Sequence, residues 1–206
     1  MAQSDGSYPV QFTVDYPEDS RDRFSVFFRV IFIIPIFIVI GAVSGQSGGI
    51  QSFGGAAGGT LFIAPLLMIV FRQKYPRWWF DWNLALSRFT NRVGAYIFMM
   101  GDKYPSTDEE QAVHLDFSYP DVERDLNRWL PLVKWFLAIP HYIALIVLWV
   151  ILVIVVIISW LAILFTGKYP QGMFDFVVGV MRWSNRVSAY AFLLVTDEYP
   201  PFRLSP

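Results

Sequence analysis

Polar and apolar positions in this chain follow two periods, and each period occurs twice. Val10, Phe12, Val14 and Tyr16 alternate with polar neighbours and stop at Pro17; Val113, Leu115, Phe117 and Tyr119 do the same and stop at Pro120. Period-two alternation closed by proline predicts a short strand and a turn. A charged, helix-competent stretch follows each strand, Glu18–Arg29 and Asp121–Lys134, and the chain then turns apolar.

In the first half the apolar section is Val30–Val43, a Gly/Ser/Gln stretch from Ser44 to Gly59, and Thr60–Phe71. This predicts a transmembrane helical hairpin with a flexible tip. In the second half, Trp135–Phe165 is 31 residues without Asp, Glu, Lys or Arg, where about 20 apolar residues suffice to span. Two readings stand: a tight hairpin of short helices within Leu132–Phe165, or one long span after an entry helix broken at Pro140. Likeness to the first half favours the hairpin; the unbroken run favours the single span.

A third element, Trp78–Met100 and Gly172–Val195, carries its polar residues on one helical face: Asp81, Arg88, Asn91 and Arg92, then Asp175, Arg182, Asn185 and Arg186. Bulky apolar residues fill the rest. This predicts an amphipathic helix lying in the membrane interface. Arg88, Arg92, Arg182 and Arg186 are then expected to meet lipid phosphates. Trp78, Trp79, Trp82 and Trp183 are expected at headgroup depth, where an apolar ring with one polar tip is favoured. A short end strand before Tyr104-Pro105 and before Tyr199-Pro200 is expected to pair with the opening strands.

These elements recur in order. Tyr16-Pro17, Ile34-Pro35, Lys74-Tyr75-Pro76, Asn91-Arg92-Val93 and Asp102 return as Tyr119-Pro120, Ile139-Pro140, Lys168-Tyr169-Pro170, Asn185-Arg186-Val187 and Asp197, at spacings of 103, 105, 94, 94 and 95. An ordered series of matches reads as a duplicated unit. The predicted fold is mainly α and integral to a membrane, with two tandem repeats, 8–107 and 112–206. Each repeat has a short strand, a transmembrane helical hairpin, an interfacial amphipathic helix and a short end strand.

Composition agrees: 55% hydrophobic against 16% charged residues places the chain among membrane proteins. Met1–Val10 has no basic n-region ahead of an apolar core, so an internal segment is expected to direct insertion. All 16 Lys and Arg avoid the tip regions, which by the positive-inside rule predicts a bacterial inner-membrane protein, multi-pass, with both termini cytoplasmic. A net charge of −1 argues against nucleic acid. Cysteine is absent, which removes disulfides and thiolate chemistry. No metal site, cofactor or catalytic residue is expected. His141 has no histidine at its matched position Ile36 and reads as an interfacial hydrogen-bonding residue, while Gly54–Gly59 lacks the Lys-Ser/Thr of a phosphate loop. No Asp or Glu lies within the apolar runs, which argues against proton or ion coupling.

Ala138-Ile139-Pro140-His141-Tyr142, Ile163–Pro170 and Thr196–Phe202 resemble a bacterial membrane family catalogued as domain of unknown function 4389. The likeness is close over Leu115–Leu204 and looser in the first half, where the Gly-rich insert interrupts the apolar section. The resemblance implies a membrane module without an assigned activity. The expected function is a non-enzymatic scaffold or accessory subunit, partnered by membrane lipids and by copies of itself or a larger complex. The alternative is an oligomeric channel or lipid-translocating protein.

Overall fold

The computed structural model describes residues 8–17, 21–36, 38 and 60–206. The Gly-rich stretch Ser44–Gly59 and the end of the first apolar section, 39–43, lie outside them, and with them the tip of the first predicted hairpin.

The two alternating stretches are strands, β1 (Val10–Val14) and β2 (Val113–Phe117), paired antiparallel with Phe12 opposite Leu115. Val10, Phe12, Val113, Leu115 and Phe117 point inward, and Gln11, Thr13, His114 and Asp116 line the other face. The two opening strands thus pair with each other. This corrects the expectation that end strands pair with them. Each end segment instead turns through a left-handed residue, Met99 (φ 60°) or Leu194 (φ 58°), and continues without strand structure.

The helices bounded within the described residues are, in chain order, α1 (Arg23–Phe32), α2 (Thr60–Arg72), α3 (Arg77–Ile97), α4 (Val122–Asp125), α5 (Pro131–Leu137), α6 (Ile139–Thr166) and α7 (Gln171–Ser188). Asp22 caps α1 by accepting from Phe24 N (3.1 Å), the usual answer to an orphaned first-turn amide. α6 is one uninterrupted helix, so the hairpin expected in Leu132–Phe165 is absent. Pro140 sits in its first turn, where proline is tolerated, and no turn residue occurs before Gly167, whose φ of 75° ends the helix. α6 is the single helix among the described residues long and apolar enough to cross a membrane.

α7 runs into a π turn, Ala189–Leu193. A π turn holds one residue more than an α turn. Three residues, Ala191–Leu193, stand there where the first half has two, Ile97 and Phe98, which is where the sequence spacing changes from 94 to 95.

The core lies between the sheet and the helix pair α3 and α7. Phe12, Leu115, Phe80, Phe174, Val177 and Val180 fill it, and Leu152 and Ile163 of α6 close it from the far side. β1 runs beside α7 between two marks: Tyr8 OH donates to Glu198 O (3.0 Å) at one end, and Tyr16 OH to Tyr169 O (2.6 Å) at the other. Those ends are also the ends of α6. Its start packs on Trp183, Tyr199 and Phe202 through His141, and its last turn is followed by Gly167, whose carbonyl accepts from Arg21 N (2.8 Å).

Candidate functional site

The polar face of α3 and α7 turns inward, onto the sheet and the chain's C-terminal segment. Arg182 is buried and donates from Nε to Phe12 O (2.9 Å) and from Nη1 to Leu204 O (2.8 Å). Its sequence counterpart Arg88, half-exposed, donates from Nε to Leu115 O (2.8 Å) and pairs with Asp116 (3.3 Å). Phe12 and Leu115 are the central pair of the sheet, so each helix holds the other half's strand. Arg92 is buried and donates to Ser106 O (2.9 Å). Arg186, also buried, donates to Ser205 O (3.1 Å), with its guanidinium 5.6 Å from the Tyr8 ring. Burial lowers the pKa of Arg182 and Arg186, and Asp175 partly offsets this for Arg182.

Arg92, Arg182 and Arg186 therefore face protein carbonyls, where the helix face suggested lipid phosphates. Helical periodicity identifies a polar face without saying what covers it, and here the sheet covers Arg182 while the segments at Ser106 and Ser205 cover Arg92 and Arg186. The tryptophans divide similarly. Trp78 is 64% and Trp82 37% exposed, while Trp79 packs against the core and Trp183 is buried, donating from Nε1 to His141 Nδ1 (3.1 Å). His141 is itself fully buried and stacked on Phe202 (ring centroids 4.0 Å), so the interfacial position expected for it is replaced by an aromatic nest. Asp81 pairs with Arg77 (3.1 Å).

Two further cations lie just ahead of the apolar sections. Arg29 is buried, donates to Asp102 Oδ1 (2.8 Å) and Tyr96 O (3.0 Å), and sits 4.4 Å over the Tyr96 ring. Lys134, fully buried, contacts Asp197 Oδ1 (2.6 Å), donates to Thr196 O (2.7 Å), and lies 5.2 Å from the Tyr190 ring centroid. These are matched sets: Arg29 with Lys134, Tyr96 with Tyr190, Asp102 with Asp197. Burial lowers the Lys134 pKa, and the hydrogen bond and charge of Asp197 work against that. The same Asp also meets the amide opening the next helical stretch, Asp22 N at Asp102 and Asn127 N at Asp197. Their signal in the sequence is a recurring cation at the edge of each apolar run, Arg29 and Lys134, matched by Asp102 and Asp197.

Reading the amphipathic face for lipid contacts also missed a cavity of about 770 Å³ at the turn between α2 and α3, where Arg72, Lys74 and Arg77 converge beside Trp78. Among the described residues no three His, Asp or Glu side chains gather as metal ligands would. The chemistry available is thus charge and hydrogen bonding spent on packing, with one basic, aromatic surface site. No curated protein and no solved structure matches the chain. Residues 129–203, which include the Lys134–Asp197 centre and the whole of α6 and α7, match the family described as a domain of unknown function, DUF4389.

Proposed function

We propose that this chain is a non-enzymatic, membrane-embedded module made of two copies of one unit interlocked about a two-fold axis, acting as a scaffold or accessory subunit of a larger membrane assembly. The observation that carries it is the outer face of α6. His141, Leu145, Leu152, Ser159 and Ile163 form its buried stripe, whereas Ile143, Ile146, Val150, Ile154, Ile157 and Phe165 are each more than half exposed. A 28-residue helix is about 42 Å long, and a continuous apolar face of that length calls for lipid or a partner chain. The non-enzymatic reading is supported by how the inner polar groups are used: Arg92, Arg182, Arg186 and Lys134 are bound to carbonyls or to Asp197.

Duplication is supported by the cross-half contacts, since the bonds from Arg88 Nε and Tyr119 OH have matched partner bonds from Arg182 Nε and Tyr16 OH. For the placement of α6, the geometry favours a helix lying along one leaflet over one that crosses. Both of its ends abut the layer that contains the sheet. Asp15, Asp116 and the open edges of a two-stranded sheet have no place at hydrocarbon depth. The basic residues of that layer favour its facing the cytoplasm of a bacterial inner membrane.

The absence of cysteine gives a clean test. Single cysteines at Ile143, Val153 and Phe165 carry a fluorophore whose quenching by lipid-borne quenchers reports depth in vesicles. All three are expected at similar depth within one leaflet. A crossing helix would put Ile143 and Phe165 at opposite faces with Val153 central. Recovery of the wild-type chain in the supernatant without detergent would reject the membrane reading outright, and a lone monomer after gentle extraction would reject the assembly.

A further inference from the structure

We propose that the cavity at the α2–α3 turn binds one anionic glycerophospholipid, its phosphate held by Arg72, Lys74 and Arg77 and an acyl chain laid on the outer face of α2. The inference rests on the membrane reading above and supplies its ligand. Arg72 and Lys74 are exposed and make no ion pair among the described residues. Arg77 shares its Nε with the Asp81 carboxylate (3.1 Å), and its guanidinium lies 4.6 Å over the Tyr119 ring. Three cations therefore meet a single acid around the cavity, a balance that suits a phosphodiester. Trp78, 64% exposed, forms part of the wall, and an indole is favoured at headgroup depth. Ile63, Leu67 and Phe71 stand four residues apart on α2, all exposed, and form an apolar strip that ends at Arg72.

The second half supplies an internal control. At the matched positions Arg72 becomes Thr166, Arg77 becomes Gln171 and Trp78 becomes Gly172, while Lys74-Tyr75-Pro76 is kept as Lys168-Tyr169-Pro170. The turn and the helix start form in both halves. Folding of this turn thus does not call for the basic and aromatic set. The presence of Arg72, Arg77 and Trp78 in one half alone, around a lysine common to both, is accounted for by a ligand.

The test uses the full purified chain, stripped of lipid and re-exposed to mixed micelles of phosphatidylglycerol and phosphatidylcholine, with retained lipid counted per chain by native mass spectrometry. The wild type is expected to retain one phosphatidylglycerol in preference to phosphatidylcholine. Retention should fall roughly tenfold or more in R72T/R77Q/W78G, which installs the second half's own residues, and in the charge-only variant R72Q/K74Q. R72Q/K74Q alters two exposed side chains and decides the matter if the triple variant does not fold. Equal retention of the two lipids by the wild type, or unchanged retention in R72Q/K74Q, would overturn the site. Displacement of the lipid by millimolar inorganic phosphate would assign it to a free anion instead. A chain that sediments with vesicles but shows no headgroup preference loses this site and keeps the membrane reading; one that stays in the supernatant loses both.

Discussion

Asn91 and Asn185, matched positions 94 residues apart, exchange amide hydrogen bonds: Asn91 Nδ2 donates to Asn185 Oδ1 (2.9 Å) and Asn185 Nδ2 to Asn91 Oδ1 (2.7 Å). Each Nδ2 also donates one turn back, to Ser87 O (2.8 Å) or Met181 O (2.9 Å). Both N–H groups of each amide are thereby used, and the two central helices meet through a self-complementary contact.

Removing one member leaves the other's donor and acceptor unpaired in a partly buried site, which costs about 1–3 kcal/mol. Asn91→Leu and Asn185→Leu are each expected to lose about that much. The double variant should be no worse than either single, because apolar groups replacing both partners leave nothing unsatisfied. Chemical unfolding of the four proteins in one detergent gives the cycle, and additive losses would show that the amides do not act as a pair.

Lys134 and Asp197 predict an asymmetry. Asp197→Asn strands a fully buried ammonium and should cost several kcal/mol, about 3–5 by the usual penalty for breaking a buried pair. Lys134→Met removes the buried charge and leaves Asp197 near solvent, so it should cost less. The pH dependence follows from the lowered Lys134 pKa. Between that value and 10.5 the unfolded chain binds the extra proton, so this residue's contribution to stability rises with pH. The deficit of Asp197→Asn should therefore shrink as the pH approaches 10, as unfolding midpoints across pH 7–10 would report.

Tyr75 shows what the extra residue of the π turn does. Its hydroxyl donates to Leu193 O (2.8 Å), inside the π turn. The matched Tyr169 hydroxyl is buried beside Ser159 of α6, with no hydrogen-bond partner among the described residues. Tyr75→Phe should cost about 1 kcal/mol in the wild type. Deleting Ala191 restores the first half's spacing, so the chain should still fold, at the cost of this hydrogen bond. Tyr75→Phe should then be neutral in the deletion background, and an undiminished effect there would show that the π turn is not what supplies the carbonyl.

The same tyrosine sets alkaline behaviour. Burial, with Tyr119 a lesser contributor, raises the Tyr75 pKa well above 10, and burial raises Tyr8 similarly. A raised folded value means the native state keeps its proton while the unfolded state loses it. The stabilisation is thus complete below pH 10 and is lost as pH climbs toward the folded value. Stability should fall above about pH 10, and Tyr75→Phe should flatten the decline relative to the wild type.

How far the fold was legible varies with what each signal reports. Alternation over Val10–Tyr16 and Val113–Tyr119 located both strands, because a half-buried strand writes its two faces directly into sequence. The amphipathic elements were likewise found, Trp78–Met100 against the observed Arg77–Ile97. The second hairpin failed because a loop was carried over from the Gly-rich first half into a run with no turn residue before Gly167. Arg182 faces a strand of the opposite half, and Arg92 and Arg186 face the non-strand segments at Ser106 and Ser205, relations that no local period encodes. The end strands are absent in both halves because each helix ends in a left-handed residue, Met99 or Leu194, a backbone turn that neither residue type signals.

The two faces of α6 separate packing from membrane contact. Leu152 has no exposure and Val150 is 59% exposed, two residues away on the same helix. Leu152→Glu puts an unpaired carboxylate into the apolar core that also holds Phe98, Ile69 and Val26; it should unfold the chain or cost several kcal/mol. Val150→Glu touches no such core. If α6 lies in a leaflet, the new charge sits at acyl depth, where the penalty is about 2.5–3.5 kcal/mol, and vesicle partitioning should fall by roughly 50-fold or more with the thermal midpoint in detergent little changed. If a protein partner covers that face instead, Val150→Glu should leave vesicle binding intact and dissociate the native complex. Vesicle flotation and size-exclusion of the extracted complex, run on the same variant, tell lipid from partner.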